Sequence, residues 1–181
     1  MGAALVAQCA PTPTSREIDQ TSSDPIGVAN PTTGQPVAAA DELLVVAGGY
    51  FFQKIANYSE MTQPVAPIYA HSDATTGEYR VRGTGTGGGA DTAIASFSTV
   101  EDTSHYFFVV QFMRDPISGS LILNAQGFFQ NATAIAADYF DQQMLPTLST
   151  FTKSWYVFEW TDANADHIAQ PTEIVPTGSG S

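Results

Sequence analysis

Cysteine is almost absent from this chain. Among 181 residues there is one cysteine, Cys9. A single cysteine excludes an internal disulfide and any zinc site that needs several thiolate ligands, and it fits a reducing compartment. The three histidines, His71, His105 and His167, do not have the spacing typical of metal ligands. The sequence therefore predicts neither a metal nor a cofactor.

Positive charge is also scarce. Six Lys and Arg residues stand against 18 Asp and Glu residues, which gives a net charge of −12 at pH 7. Nucleic-acid binding needs a Lys/Arg patch that neutralises phosphates, and an anionic membrane surface attracts the same residues. The composition therefore predicts no direct contact with nucleic acid or membrane. It favours a basic protein partner, or charge that serves solubility alone.

Long apolar runs and catalytic motifs are missing too. No segment approaches the roughly 18 apolar residues of a membrane-spanning helix. The first residues, MGAALVAQCAP, lack the basic start of a signal peptide and are not expected to form one. The glycine-rich stretch 83–89 does not end in the Gly-Lys-Ser/Thr of a phosphate-binding loop, so it is expected to be an ordinary loop.

The most informative feature that is present is an aromatic β-hairpin at 105–130. Residues 105–112, HYFFVVQF, are aromatic and β-branched, as in a strand. The Asp-Pro-Ile-Ser-Gly sequence at 115–119 predicts a turn, and 120–129 predicts the second strand. An isolated hairpin is marginally stable in water, so the rest of the chain is expected to cover it.

The segments around the hairpin predict an α+β fold. Apolar residues at helical spacing over 41–57, with Asp41 as the N-cap, predict an amphipathic helix. Asp91 is the predicted cap of a further short helix. The predicted helices are 41–57, 60–69 and 91–100, and the predicted strands beside the hairpin are 77–81, 139–148 and 154–161. This order favours helices packed in the concavity of a strongly bent antiparallel sheet.

The predicted domain occupies residues 40–163. Residues 1–39 are rich in Pro, Ser and Thr and contain no aromatic residue, so they are predicted to be a flexible tail. Residues 164–181 are polar and end in Gly and Ser, and a second flexible tail is predicted there.

Several local motifs, taken in order, resemble the nuclear transport factor 2-like superfamily over about residues 41–163. The similarity is greatest to its nuclear-transport branch, which includes the small subunit of the mRNA export receptor. The motifs are the VAGGYFF sequence at 46–52, the Pro-Ile-Tyr at 67–69, Gly89 with Ile94 and Phe97, the Phe-Asp-Gln at 140–142 and Trp155. The closing strand ends Phe-Glu-Trp-Thr-Asp at 158–162, without the Arg usual in that branch.

The resemblance implies a cone-shaped domain whose open sheet face is a dimer surface. It implies a non-catalytic subunit of nucleocytoplasmic transport, an mRNA export cofactor found in nucleus and cytoplasm. This subunit would pair with itself or with a larger homologous subunit and bind Phe-Gly repeats of the nuclear pore. The protein-binding residues that it implies are Phe140, Gln142, Trp155, Val157 and Trp160.

Two alternatives stay open. In the first, the cone holds the active site of a small isomerase, dehydratase or hydrolase acting on an apolar substrate. His105 and Asp141 are then the candidate bases, and Tyr50 and Tyr106 are further polar groups. His105 is expected at the rim of the sheet and Asp141 on its solvated face, so no base with a hydrogen-bonded helper is predicted. The second alternative is a structural protein of a virion or surface assembly, which suits the tails and the acidity.

Overall fold

The computed structural model describes residues 29–37, 43–49, 53–83 and 90–181, and this part of the chain has an α+β fold. The predicted fold class is confirmed at this level. The strands are β1 (Leu43–Ala47), β2 (Ile68–Ser72), β3 (Thr76–Val81), β4 (Thr92–Ser98), β5 (His105–Arg114), β6 (Leu121–Gly127), β7 (Trp155–Thr161) and β8 (Ile174–Gly180). The α-helices are α1 (Lys54–Asn57) and α2 (Gln130–Tyr139).

The strands form two sheets. The larger sheet has the order β1-β6-β5-β7-β8, and the smaller one has the order β2-β3-β4. The larger sheet is mixed, because β1 runs parallel to β6 while the other neighbours are antiparallel. The smaller sheet is antiparallel throughout.

The predicted hairpin is confirmed and lies at the centre of the larger sheet. β5 pairs with β6 from Phe108 opposite Gly127 to Arg114 opposite Leu121, and its other edge pairs with β7. In the turn, the Asp115 carboxylate accepts hydrogen bonds from the Ser118 amide and hydroxyl. The predicted strands 77–81 and 154–161 are confirmed as β3 and β7.

Both faces of the larger sheet are covered within the described residues. On one face, Phe108 and Leu123 pack against α2 and the turns that follow it. On the other face, Val109 and Val157 pack against Ile68 and Tyr79 of the smaller sheet. The central strands are therefore buried on both sides, which explains why β7 is apolar at nearly every position.

The predicted helix over 41–57 is wrong for most of its described length. Leu43–Ala47 is a strand, and only Lys54–Asn57 is α-helical. Leu44 and Val46 are buried and alternate with half-buried neighbours, which is the pattern of a strand. A five-residue apolar run fits both periods, and pairing with β6 decides between them. Residues 41–42 and 50–52 lie outside the described residues.

The predicted helix over 91–100 is also wrong, because Thr92–Ser98 forms β4, antiparallel to β3. The predicted cap, Asp91, does not start a helix. Its carboxylate accepts hydrogen bonds from the Tyr69 hydroxyl at 2.6 Å and from the Gly83 amide at 2.8 Å. Pairing with β3 outweighs the weak helical spacing of Ile94 and Phe97.

The predicted strand over 139–148 is helical. After α2 the chain continues through a π-helical turn, Phe140–Met144, and a 3-10 turn, Leu145–Thr150. Ala132, Ala136, Phe140 and Met144 are buried and recur every four residues, so they form one helical stripe that packs on the sheet. The helical signal in this stretch was the recurrence of apolar residues at every fourth position. The alternation of Phe140, Gln142 and Met144 indicated a strand instead.

The residues after Asp162, expected to be a tail, contain a 3-10 turn, Pro171–Glu173, and the strand β8. β8 pairs with β7 and forms an edge of the larger sheet. At the other end of the chain, residues 1–28 lie outside the described residues. Ala29, within the predicted N-terminal tail, is buried and packs in the same cluster as Leu44 and Ile122.

Candidate functional site

A groove with a volume of about 720 Å³ lies between α2 and the segment that connects β7 to β8. We call it the C-terminal groove. Its lining mixes apolar and polar side chains, among them Ile135, Asp138, Tyr139, Gln142, Ile168 and Ile174. Ile168 is 64% exposed at its edge. Concave, largely apolar surfaces with a few polar groups are typical of binding sites.

The β7–β8 connection is held in place by its own carboxylates. Asp162 accepts hydrogen bonds from the amides of Asp166 at 3.2 Å and His167 at 3.0 Å. Glu173 accepts hydrogen bonds from the Trp160 indole at 3.2 Å and the Ala163 amide at 3.0 Å. This wall of the groove is therefore fixed at both ends before any partner arrives.

The same connection has a spacing that sequence analysis missed. Asp162, Asn164, Asp166 and Glu173 occupy positions 1, 3, 5 and 12 of a calcium-binding loop pattern. His167 stands where that pattern has glycine, and its φ is 57°. The carboxylates instead bind amides of the loop, and no three His, Cys, Asp or Glu side chains in the described ranges are arranged to hold a metal. The loop is thus capped by its own side chains.

The chain segments that build the C-terminal groove are acidic. Residues 101–106, 131–143 and 160–174 contain no Lys or Arg. Their acidic residues are Glu101, Asp102, Asp138, Asp141, Asp162, Asp166 and Glu173. With so little opposing charge nearby, the potential at the groove is negative, apart from any contribution of His167.

A second candidate site is a cluster of polar side chains buried between the two sheets, which we call the interior polar cluster. Its members are Glu60, Tyr79, Gln111, Asn124 and Gln126, and none of them is more than 1% exposed. The Gln126 amide donates to the Glu60 carboxylate at 2.6 Å, and the Asn124 amide donates to the Gln126 oxygen at 3.2 Å. Glu60 lies in the π-helical turn Tyr58–Thr62.

Burial raises the pKa of Glu60 from 4.5 to about 7, although the hydrogen bonds from Gln126 and the Ala70 amide and the charge of Arg82 oppose the shift. The Tyr79 hydroxyl, the Gln111 Nε2 and the Asn124 Oδ1 have no hydrogen-bond partner among the described residues. A buried acid with a pKa near neutrality is a functional candidate, although structural networks also perturb pKa values. No local sequence pattern around Glu60 indicates its burial.

The two predicted bases do not form one site with a helper. His105 is at the rim of the larger sheet, where its Nε2 lies 2.7 Å from a Glu159 carboxylate oxygen, and both side chains are about a third exposed. Asp141 lies in the π-helical turn after α2, and its buried Oδ1 has no partner in the described structure. Tyr106 donates to Glu101 at 2.7 Å. Tyr50 lies outside the described residues.

The predicted protein-binding residues divide into two groups. Phe140, Trp155, Val157 and Trp160 are buried inside the chain, at 8% exposure or less. β8 contributes to this burial, since a Cβ added to Gly180 would lie 2.5 Å from the Trp155 ring. Gln142 is exposed and lines the C-terminal groove. Of these five residues, the structure therefore offers Gln142 to a partner.

Comparison with protein-family models, curated proteins and solved structures finds no match for this chain. The resemblance to the nuclear transport factor 2-like superfamily therefore stays a prediction. Within the described residues, no helix has the length and apolarity needed to cross a membrane.

Proposed function

We propose that this protein is a non-catalytic binding subunit that holds a segment of a protein partner in its C-terminal groove. The observation that supports the proposal most directly is Ile168, a large apolar side chain held at the edge of a groove of about 720 Å³ on a loop fixed by its own hydrogen bonds. A scattered exposed isoleucine needs no explanation, but one at the edge of a concave apolar surface suits a binding anchor. A preorganised wall lowers the entropy cost of binding.

The proposal is tested with a matched pair of variants. Ile168→Ser removes the groove anchor, and Ile117→Ser removes an isoleucine of nearly equal exposure, 63%, in the turn between β5 and β6. A partner captured by the intact protein and identified by mass spectrometry is titrated against all three purified proteins. We expect a loss of affinity of about tenfold for Ile168→Ser and no loss for Ile117→Ser. Equal affinities in all three would contradict groove binding.

We further propose, as a narrower function, the nuclear-transport role that the sequence resemblance implies, with binding of Phe-Gly repeats and pairing with itself or a larger homologous subunit. The ordered motifs support it, and the α+β fold is compatible with a cone-shaped domain. Because Trp155 and Trp160 are buried, pairing would have to use an edge strand or the groove. Titration with a synthetic Phe-Gly repeat peptide and the solution mass by light scattering test this role. A solution mass that corresponds to many subunits would instead favour the structural protein of a virion or surface assembly.

A small proton-transfer enzyme is the second candidate, and the interior polar cluster favours it. A pKa of about 7 suits Glu60 to act as a general acid or base at neutral pH, which makes it a better candidate than His105 or Asp141. Glu60 is fully buried, so a substrate would need a path to it. Carbodiimide coupling at about pH 6, mapped by mass spectrometry, tests for that path. Labelling of exposed Glu101 but not of Glu60 would argue against the enzyme.

A further inference from the structure

Building on the proposed groove function, we infer that the bound segment is basic, with Lys or Arg side chains beside an apolar anchor residue. One carboxylate, that of Asp138, lines the C-terminal groove, and the three segments that build the groove contain six further carboxylates and no Lys or Arg. The cationic residues of the described chain lie elsewhere in the fold: Lys54, Arg80, Arg82, Arg114 and Lys153. Charge is thus segregated, and the residues that line the groove include apolar side chains and the carboxylate of Asp138 but no Lys or Arg.

Asp138 carries the strongest part of this argument. It is exposed and lines the groove, and its side chain has no hydrogen bond or ion pair in the described structure. Nothing within the described chain compensates for its charge, whereas a cationic side chain of a partner would do so.

Glu101 does not line the groove but is hydrogen-bonded to two residues that do. Its exposed carboxylate accepts hydrogen bonds from the Tyr106 hydroxyl at 2.7 Å and from the Asn131 amide at 3.2 Å, and both donors line the groove. A carboxylate that accepts hydrogen bonds from neutral donors retains lone pairs for a cation. Asp138 therefore offers an acidic contact within the groove, and Glu101 offers a second one beside it.

Charge also excludes the occupants that the chain itself could supply. A second copy carries the same net charge of −12, and residues 1–28 contain Arg16 against Glu17, Asp19 and Asp24. Each of these would bring like charge to the acidic segments of the groove, as would a nucleic acid. A segment of a different, basic protein fits both the apolar side chains and the charge of the groove.

A selection from a random-peptide display library, with the intact protein as bait, tests the inference. Binders are sorted by whether they are lost on Ile168→Ser and kept on Ile117→Ser, which identifies those that use the groove. We expect the groove-dependent peptides to be enriched in Lys and Arg around a Leu, Ile or Phe. Groove-dependent peptides without that enrichment would overturn the basic partner and leave the proposed function standing. A library without groove-dependent binders would overturn both.

The best groove-dependent peptide is then measured against two neutralised variants. Asp138→Asn removes a charge from the groove, and Asp73→Asn makes the same exchange at an exposed position between β2 and β3, outside the lining residues, where Asn can still accept the hydrogen bonds of the Thr75 and Thr76 amides. We expect Asp138→Asn to weaken binding about two- to fivefold and Asp73→Asn to leave it unchanged. The loss should shrink at high salt. Equal effects of the two variants would show attraction by net charge alone and overturn the inference.

Discussion

The replacement of Glu60 by Gln is the sharpest test of the interior polar cluster. Glu60 has a pKa of about 7 in the folded chain and an ordinary value of 4.5, which we take for the unfolded chain. Between these pH values the native state keeps a proton that the unfolded state releases. Glu60 therefore makes its full contribution to the free energy of unfolding below about pH 4.5, and this contribution is lost as the pH rises to about 7. At 1.36 kcal/mol per pKa unit, the loss is about 3 kcal/mol.

Gln is the neutral mimic of the protonated side chain. It can still accept the hydrogen bond from the Gln126 amide, and it cannot acquire a buried negative charge. We therefore expect Glu60→Gln to raise the free energy of unfolding by up to about 3 kcal/mol near pH 8 and to change it little near pH 4.5. The stability of the variant should also decrease much less between those pH values than the stability of the original protein does.

Urea denaturation followed by tryptophan fluorescence across that pH range measures the effect. Glu101→Gln is the surface control, because Glu101 is exposed and Gln can still accept the hydrogen bonds from Tyr106 and Asn131. A Glu60→Gln protein that is less stable than the original near pH 8 would refute the reasoning. That outcome would mean that the ionised carboxylate is itself stabilising, through Arg82 or a group outside the described residues. A gain that does not depend on pH would refute it as well, because it would not arise from ionisation.

Three further outcomes test the packing. Phe108→Ala should lower the free energy of unfolding by about 3–5 kcal/mol, because this ring is fully buried and stacks on Phe158, and urea denaturation measures the loss. Asp138→Asn should raise the same quantity by no more than about 0.5 kcal/mol, because it removes one uncompensated charge from an exposed position of an acidic chain. Truncation before β8 should expose Trp155, shift its fluorescence to longer wavelength and lower the urea midpoint, whereas removal of a true tail would change neither.

The central hairpin and β7 could be predicted because their signals are local. An alternation of aromatic and β-branched residues, interrupted by Asp115, Pro116 and Gly119, specifies two strands and a turn whatever surrounds them. The α+β class was predicted with the wrong helices, because 43–47 and 92–98 are strands and α2 at 130–139 was not among the predicted helices. The sequence also shows that Lys and Arg are scarce. Only the fold shows that the segments without Lys or Arg come together to form a groove.

Tertiary contacts decided the short elements. The run Leu43–Ala47 fits a helix or a strand equally well, and the open edge of β6 made it a strand. β8 contains Pro176 and two glycines, Gly178 and Gly180, which are poor strand residues. It pairs nevertheless because it forms a sheet edge, and Pro176 lies at a register shift opposite Phe158.

The candidate sites depend on the fold for the same reason. The C-terminal groove joins three segments that are distant in the chain, and the polar cluster brings Glu60 beside Gln126, 66 residues away. The sequence by itself determined the central strands and the acidity of the chain, because each depends on composition or on neighbouring residues. Only the tertiary structure decided which aromatic residues are buried, where the groove lies and which carboxylate holds a proton near neutral pH, because burial is a property of contacts between distant residues.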